Sequence, residues 1–256
     1  MVVEHWLFQH HPRSCTPFMR LATLGGMLKL VIFDFDGVIV DSEPLHHEAM
    51  RLALLDLGID VGWDEYHDHY LTFDDRNAFG AALRRHGREP DEGAVRGLME
   101  RKSEAYVAAL DTRLKVYPGA AELVRAAAAR HPCGIGSGAR KEEIVLILKK
   151  TGLLPFFHTI VSADDVTKGK PDPETFLKVV KRVSAARAGE NGVIHPSEVL
   201  VIEDSPGGVQ AAKSMRMKAV GVTNSYPAER LVQADRVLST LEGFTVNDAE
   251  SLFQQR

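Results

Sequence analysis

The chain is short of cysteine, of long apolar runs and of excess basic charge, and each shortage closes off a class of protein. Cys15 and Cys133 are the only two cysteines in 256 residues. They are too few for a disulfide framework, so a reducing, cytoplasmic setting is expected. No stretch approaches ~18 apolar residues without a charge, so no membrane span is expected. Lys and Arg number 31 against 35 Asp and Glu, a formal net charge of -4. A nucleic-acid-binding surface needs a basic excess or stripe, and the chain has neither. Its first 26 residues hold three His, two Pro and one acidic residue without periodicity, and they lack the apolar segment of a secretory signal. Residues 1–28 therefore read as a poorly ordered or start-site extension.

What the chain does have is a strand–helix alternation. Leu30, Val31, Ile32 and Phe33 form a short continuous apolar run, the mark of a strand buried on both faces of a parallel sheet. Further strands are expected near residues 133–137, 159–162, 199–202, 219–222 and 237. Helices are expected over 120–130, 142–151, 174–183 and 208–215, and one over 43–57 with Leu45, Ala49, Leu52 and Leu55 as its apolar face. Residues 58–112 differ: charged pairs at helical spacing and no β-branched runs predict about three amphipathic helices, closed off by the turn Tyr117-Pro118-Gly119. The fold class is α/β, a Rossmann-like parallel-sheet core interrupted by a helical insertion.

In such a sheet ligands bind beyond the carboxyl ends of the strands. The residues that follow the strands are Asp34 and Asp36, Ser137 and Gly138, Lys170 with Pro171, and Glu203 with Asp204. Carboxylates gathered on one rim repel one another and are costly to bury. They persist together around a hard cation, and an all-oxygen donor set argues for Mg2+. A hydroxyl, backbone amides and a lysine beside them make a phosphate cradle, and the combination describes phosphoryl transfer. His67, His69 and His158 have no spacing that suggests a metal site.

The run Asp34-Phe35-Asp36-Gly37-Val38-Ile39-Val40-Asp41, with Ser42-Glu43 after it, resembles the first motif of the haloacid dehalogenase superfamily. Ser137 resembles the second motif, Lys170 in Gly169-Lys170-Pro171-Asp172-Pro173 the third, and Glu203-Asp204-Ser205 the fourth. The nearest likeness is to the β-phosphoglucomutase-like and CbbY-like branch, whose helical cap is inserted after the first motif. The resemblance implies a core domain over residues 29–42 and 116–256 and a cap over 43–115. It implies Asp34 as nucleophile and Asp36 as general acid and base, with Asp36 disfavouring a dehalogenase. Mg2+ would be held by Asp34, Asp36 (through its carbonyl), Glu203 and Asp204, and phosphate by Ser137, Gly138 and Lys170. His46, Arg76 and Lys102 would face the substrate from the cap, while Asp41 is expected to be structural.

The expected function is Mg2+-dependent hydrolysis of a small phosphorylated metabolite of the sugar phosphate class, by a monomer, through an aspartyl-phosphate. A hexose phosphate phosphomutase is the alternative, although Ala139, Arg140 and Lys141 stand where the mutase carries further phosphate-holding Ser and Asn residues. A non-catalytic metabolite-binding domain is a remote third reading, since Asp34, Asp36 and Asp204 are all present.

Overall fold

The structure is a computed structural model that describes residues 27–71, 73–187 and 193–254. The extension expected over 1–28 falls, up to Gly26, outside the described residues, as does Cys15. The chain opens with β1 (Leu30–Phe33) and the short β2 (Val40–Asp41). Next come α1 (Glu43–Leu55), α2 (Trp63–His69), α3 (Asp75–Arg85) and α4 (Glu92–Arg113), followed by β3 (Lys115–Val116). The remainder alternates: α5 (Ala120–Ala128), β4 (Cys133–Gly136), α6 (Lys141–Lys150), β5 (Thr159–Val161), α7 (Glu174–Ala186), β6 (Val199–Glu203), α8 (Pro206–Ser214), β7 (Lys218–Val222), β8 (Arg236–Leu238) and α9 (Val246–Ser251).

Six strands form one parallel sheet in the order β5-β4-β1-β6-β7-β8, as the α/β reading requires. Period-2 alternation decides which core each side chain joins. Val31 and Phe33 of β1, with Leu200 and Ile202 of β6, pack under α5, α6 and α9. Leu30, Ile32, Val199 and Val201 point the other way, against α7 and α8. Every residue of β1 and β6 is buried, which explains why both read as continuous apolar runs rather than alternating ones.

The four helices between β2 and β3 have a core of their own, built from residues such as Leu54, Val61, Phe79, Leu83 and Leu98. Asp74 and Asp91 start α3 and α4 by accepting from the backbone N–H three residues on, each at 2.9 Å, the usual N-cap arrangement. The helix α1 departs from its expected single stripe. Leu45 and Ala49 join the sheet-side core, whereas Met50, Ala53 and Leu54 join the helical one, and Leu52 and Leu55 are exposed. A helix that bridges two cores needs two apolar faces, and a single-stripe pattern misplaces the outer leucines. The antiparallel pairing of β2 with β3 escaped the sequence because two-residue strands carry no periodicity. Among the described residues no helix is long and apolar enough to cross a membrane.

Candidate active site

The end of β1 delivers Asp34, whose N–H donates to the Ile202 carbonyl at 2.9 Å, so the neighbouring strand fixes the backbone at this point. The next strand, β6, ends in Glu203 and Asp204, which are 0% and 4% exposed. Across from them, the Lys170 ammonium lies 2.8 Å from Asp34 Oδ1 and 2.7 Å from Glu203 Oε1. Lys168, two residues earlier, is exposed. Burial alone would strip Lys170 of its proton, but the two carboxylates outweigh it and hold the ammonium above its usual range. Burial likewise works to raise Glu203, yet Lys170 and the Ser205 donors prevail and keep it ionised. Asp34 is driven well up by burial, with Glu203 and Asp204 adding to the effect. Burial, reinforced by Glu203, pushes Asp204 up to about 7.

This donor set fits a divalent cation. One oxygen from each of Asp34, Glu203 and Asp204 lies within 4.8 Å of the others, and Asp34 Oδ1 is a buried oxygen that receives no hydrogen bond. Lys170 beside it is an ion-pair partner, at 2.8 Å. Three buried carboxylates with one lysine leave excess negative charge, which an oxygen-preferring cation such as Mg2+ would neutralise.

The turn after β1 is held by Gly37 and Ser42 of the first motif and by Asn224 and Ser225, to which the sequence assigned no role. Gly37 has φ +78, and a Cβ there would lie 1.9 Å from Asp204 Oδ2, so both its conformation and its space require glycine. Asn224 donates from Nδ2 to the Gly37 carbonyl at 2.7 Å, Ser225 Oγ donates to Asp204 Oδ2, and Ser42 Oγ donates to Asp36 Oδ1. Burial raises Asp36, with the Ser42 hydrogen bond opposing it. Asp41 lies in β2, opposite Lys115 of β3.

On the far side of Lys170 a cavity of about 430 Å³ is lined by Ser137, Gly138, Thr167, Gly169, Lys170 and Thr175, among others. Ser137 is 2% exposed, and its hydroxyl accepts from the Ala139 N–H at 3.0 Å, which shapes the loop ahead of α6. Glu174 anchors the lysine-bearing loop: its carboxylate accepts from the Thr167 hydroxyl and the Lys168 N–H, both at 2.9 Å, and from Lys178 Nζ at 2.6 Å.

The helical unit brings some of the expected substrate-facing residues together and leaves one out. Lys102 is 5% exposed; it donates to Asp75 Oδ1 at 2.8 Å and to His46 Nδ1 at 2.9 Å. His46 stacks on Tyr106 with ring centroids 4.3 Å apart. Arg76 is exposed, with its guanidinium 3.4 Å from Glu92, and its neighbour Asp75 takes the inward place. Sequence register misses this by one residue because Asp74 caps α3, so Asp75 turns inward and Arg76 outward. His67 pairs with Asp68 at 3.3 Å, and among the described residues the acidic triad is the sole cluster with metal-ligand spacing.

A parallel sheet whose strand ends gather a lysine and a carboxylate triad defines a phosphoryl-transfer class of α/β enzyme. The haloacid dehalogenase-like hydrolase family matches over residues 28–216, and the chain belongs to that family. It is 31% identical to validoxylamine A 7'-phosphate phosphatase of Streptomyces hygroscopicus subsp. limoneus, over 84% of this chain and 95% of that one. It is 28% identical to the phosphorylated carbohydrates phosphatase of Thermotoga maritima, over 84% and 99%. Among solved structures, CbbY from Rhodobacter sphaeroides in complex with phosphate superposes with a TM-score of 0.71 at 22% identity, covering 85% of this chain and 96% of that one. That last likeness is one of fold.

Proposed function

We propose that the protein hydrolyses a small sugar phosphate monoester, with Asp34 as nucleophile. The observation that carries this reading is the setting of Asp34: a buried carboxylate oxygen without a hydrogen-bond donor, beside Lys170 and inside an acidic triad. Phosphatases of phosphorylated carbohydrates among the relatives support the substrate class. Asp34 attacks phosphorus and the ester oxygen leaves with a proton from Asp36, whose raised affinity for that proton suits an acid. Asp36 then takes a proton from water, which attacks the aspartyl-phosphate and releases inorganic phosphate with Asp34 restored. Lys170 opposes the rise that burial imposes on Asp34 and balances phosphoryl charge, while Ser137 and the Gly138 amide cradle the phosphoryl oxygens. Mg2+, held by Asp34, Glu203, Asp204 and the Asp36 carbonyl, would supply charge neutralisation. The helices between β2 and β3 form the cap over this site, with residues 43–115 as its extent and 29–42 with 116–256 as the core. The buried free thiol of Cys133 fits a cytoplasmic location.

The His46–Lys102 contact favours a phosphomutase as the second reading, and the loop at 137–141 speaks against it. Phosphorus NMR with Mg2+ and a panel of sugar phosphates separates the two. Free phosphate is expected, lost with EDTA or in Asp34→Asn. A signal that moves from the 1- to the 6-phosphate without free phosphate would replace the hydrolase with a mutase.

A further inference from the structure

Thr175, the second residue of α7, carries a buried hydroxyl with nothing to bond to. The residue is 2% exposed, and among the described residues its Oγ1 has no hydrogen-bond partner. It lines the cavity of about 430 Å³ beside Lys170, with Ser137, Gly138 and Gly169. A β-carbon on Gly136 would lie 3.3 Å from Thr175 Cγ2. The methyl branch therefore packs against the end of β4, and the hydroxyl is the branch turned to the cavity. A buried hydroxyl that stays unpaired costs free energy, so the cavity suits a polar occupant.

The other polar groups on the cavity wall are donors as well. Ser137 Oγ already accepts from the Ala139 N–H at 3.0 Å, so its own proton is free to donate. The Gly138 N–H has no partner among the described residues, and the Thr175 N–H, in the first turn of α7, has no intrahelical carbonyl to reach. Lys170 supplies the charge: it faces Asp34 and Glu203 on its other side, and once a divalent cation balances the acidic triad that charge is left to an anion. No carboxylate lines the cavity. The neighbouring acids are engaged elsewhere, Asp164 with the Lys141 N–H, Asp165 with Ser162 and Arg182, and Glu174 with Thr167, Lys168 and Lys178. A donor-lined recess with one ammonium and no carboxylate selects an oxyanion. The oxyanion at hand is the reaction's own product, set free beside Lys170. Resting on the phosphatase reading above, we propose that this cavity holds inorganic phosphate on its way out, with Thr175 Oγ1 donating to it. The anion keeps Lys170, Ser137 and the Gly138 amide as it moves, and exchanges Asp34 for Thr175.

The test is product inhibition in Thr175→Val, which replaces the hydroxyl by a methyl of similar size. With Mg2+ present, the Ki of inorganic phosphate and the KM are both read from release of the alcohol product, using a sugar phosphate or p-nitrophenyl phosphate that the enzyme turns over. A hydrogen bond to a charged acceptor is worth about tenfold or more in affinity, so Ki should rise about tenfold and clearly more than KM. Thr175→Ser, which keeps the hydroxyl, should restore the wild-type Ki. An unmoved Ki overturns the proposal and leaves the phosphatase intact. Equal rises in Ki and KM overturn it too, by setting Thr175 against the substrate's phosphoryl group, as does a Ki raised equally in Thr175→Ser, which marks a packing effect. Thr175→Ala carries the same comparison if valine does not fold there. If neither the panel nor p-nitrophenyl phosphate yields phosphate, the phosphatase reading falls and takes the holding site with it.

Discussion

A β-carbon on Gly208 would lie 1.6 Å from Glu203 Oε1, and that oxygen is held 2.7 Å from Lys170 Nζ. Glycine is therefore what lets the first turn of α8 pass close to the carboxylate end of β6. Gly208→Ala should cost about 3 kcal/mol, since neither the buried carboxylate nor the helix can yield, and urea unfolding would read it; a loss below ~0.5 kcal/mol would refute it. Ser225 works on the same cluster more gently, through its hydrogen bond to Asp204 Oδ2. Partners that orient metal ligands are typically worth about tenfold or more in affinity. Ser225→Ala should accordingly raise, by about tenfold, the Mg2+ concentration that half-maximally stabilises the protein in a thermal-shift titration. An unchanged titration would mean that Asp204 is oriented without it.

At the scale of elements, the loop that carries Lys170 hangs on one side chain. Glu174 accepts from two backbone N–H groups, a hydroxyl and Lys178, and these donors, Lys178 first, depress its carboxyl to about 2. Glu174→Ala should lower kcat by roughly tenfold and leave far-UV circular dichroism unchanged, because α7 keeps Phe176, Val179 and Val183 in the core. Unaltered kcat would show that the loop is held by other contacts. How far such elements could be read from sequence depended on how local their causes are. β1, β4, β6 and β7 declare themselves because burial on two faces forces apolar runs, and Asp34, Glu203 and Asp204 because each ends or directly follows a strand, whereas Lys170, well past the end of β5, was legible through its likeness to the third motif. Asn224 and Ser225 were silent, since a lone hydroxyl or amide says nothing until the fold brings it to Gly37 or Asp204. Asp75 was hidden by a one-residue register that only the start of α3 settles.

Over the whole molecule, the same helix ties the two cores together and carries a carboxyl in a poor place for charge. Leu45 and Ala49 of α1 belong to the sheet-side core, Met50 and Leu54 to the helical one, and Glu43 opens that helix beneath Tyr66. Burial lifts its carboxyl from 4.5 to about 7, Asp36 and Asp41 reinforce the lift, and Lys102 and the Tyr66 hydrogen bond only partly offset it. A carboxyl with a higher pKa folded than unfolded contributes stability that is complete below the unfolded value. That contribution drains away as pH rises through the folded one. Wild type should therefore lose stability relative to Glu43→Gln between pH 5 and pH 8, by roughly 2 kcal/mol, because glutamine can still accept from Tyr66 but never ionises. Urea unfolding of both proteins at the two pH values measures the difference directly. If the gap between them is the same at both, Glu43 is ionised throughout, and the contact between α1 and Tyr66 is that of a charged carboxylate.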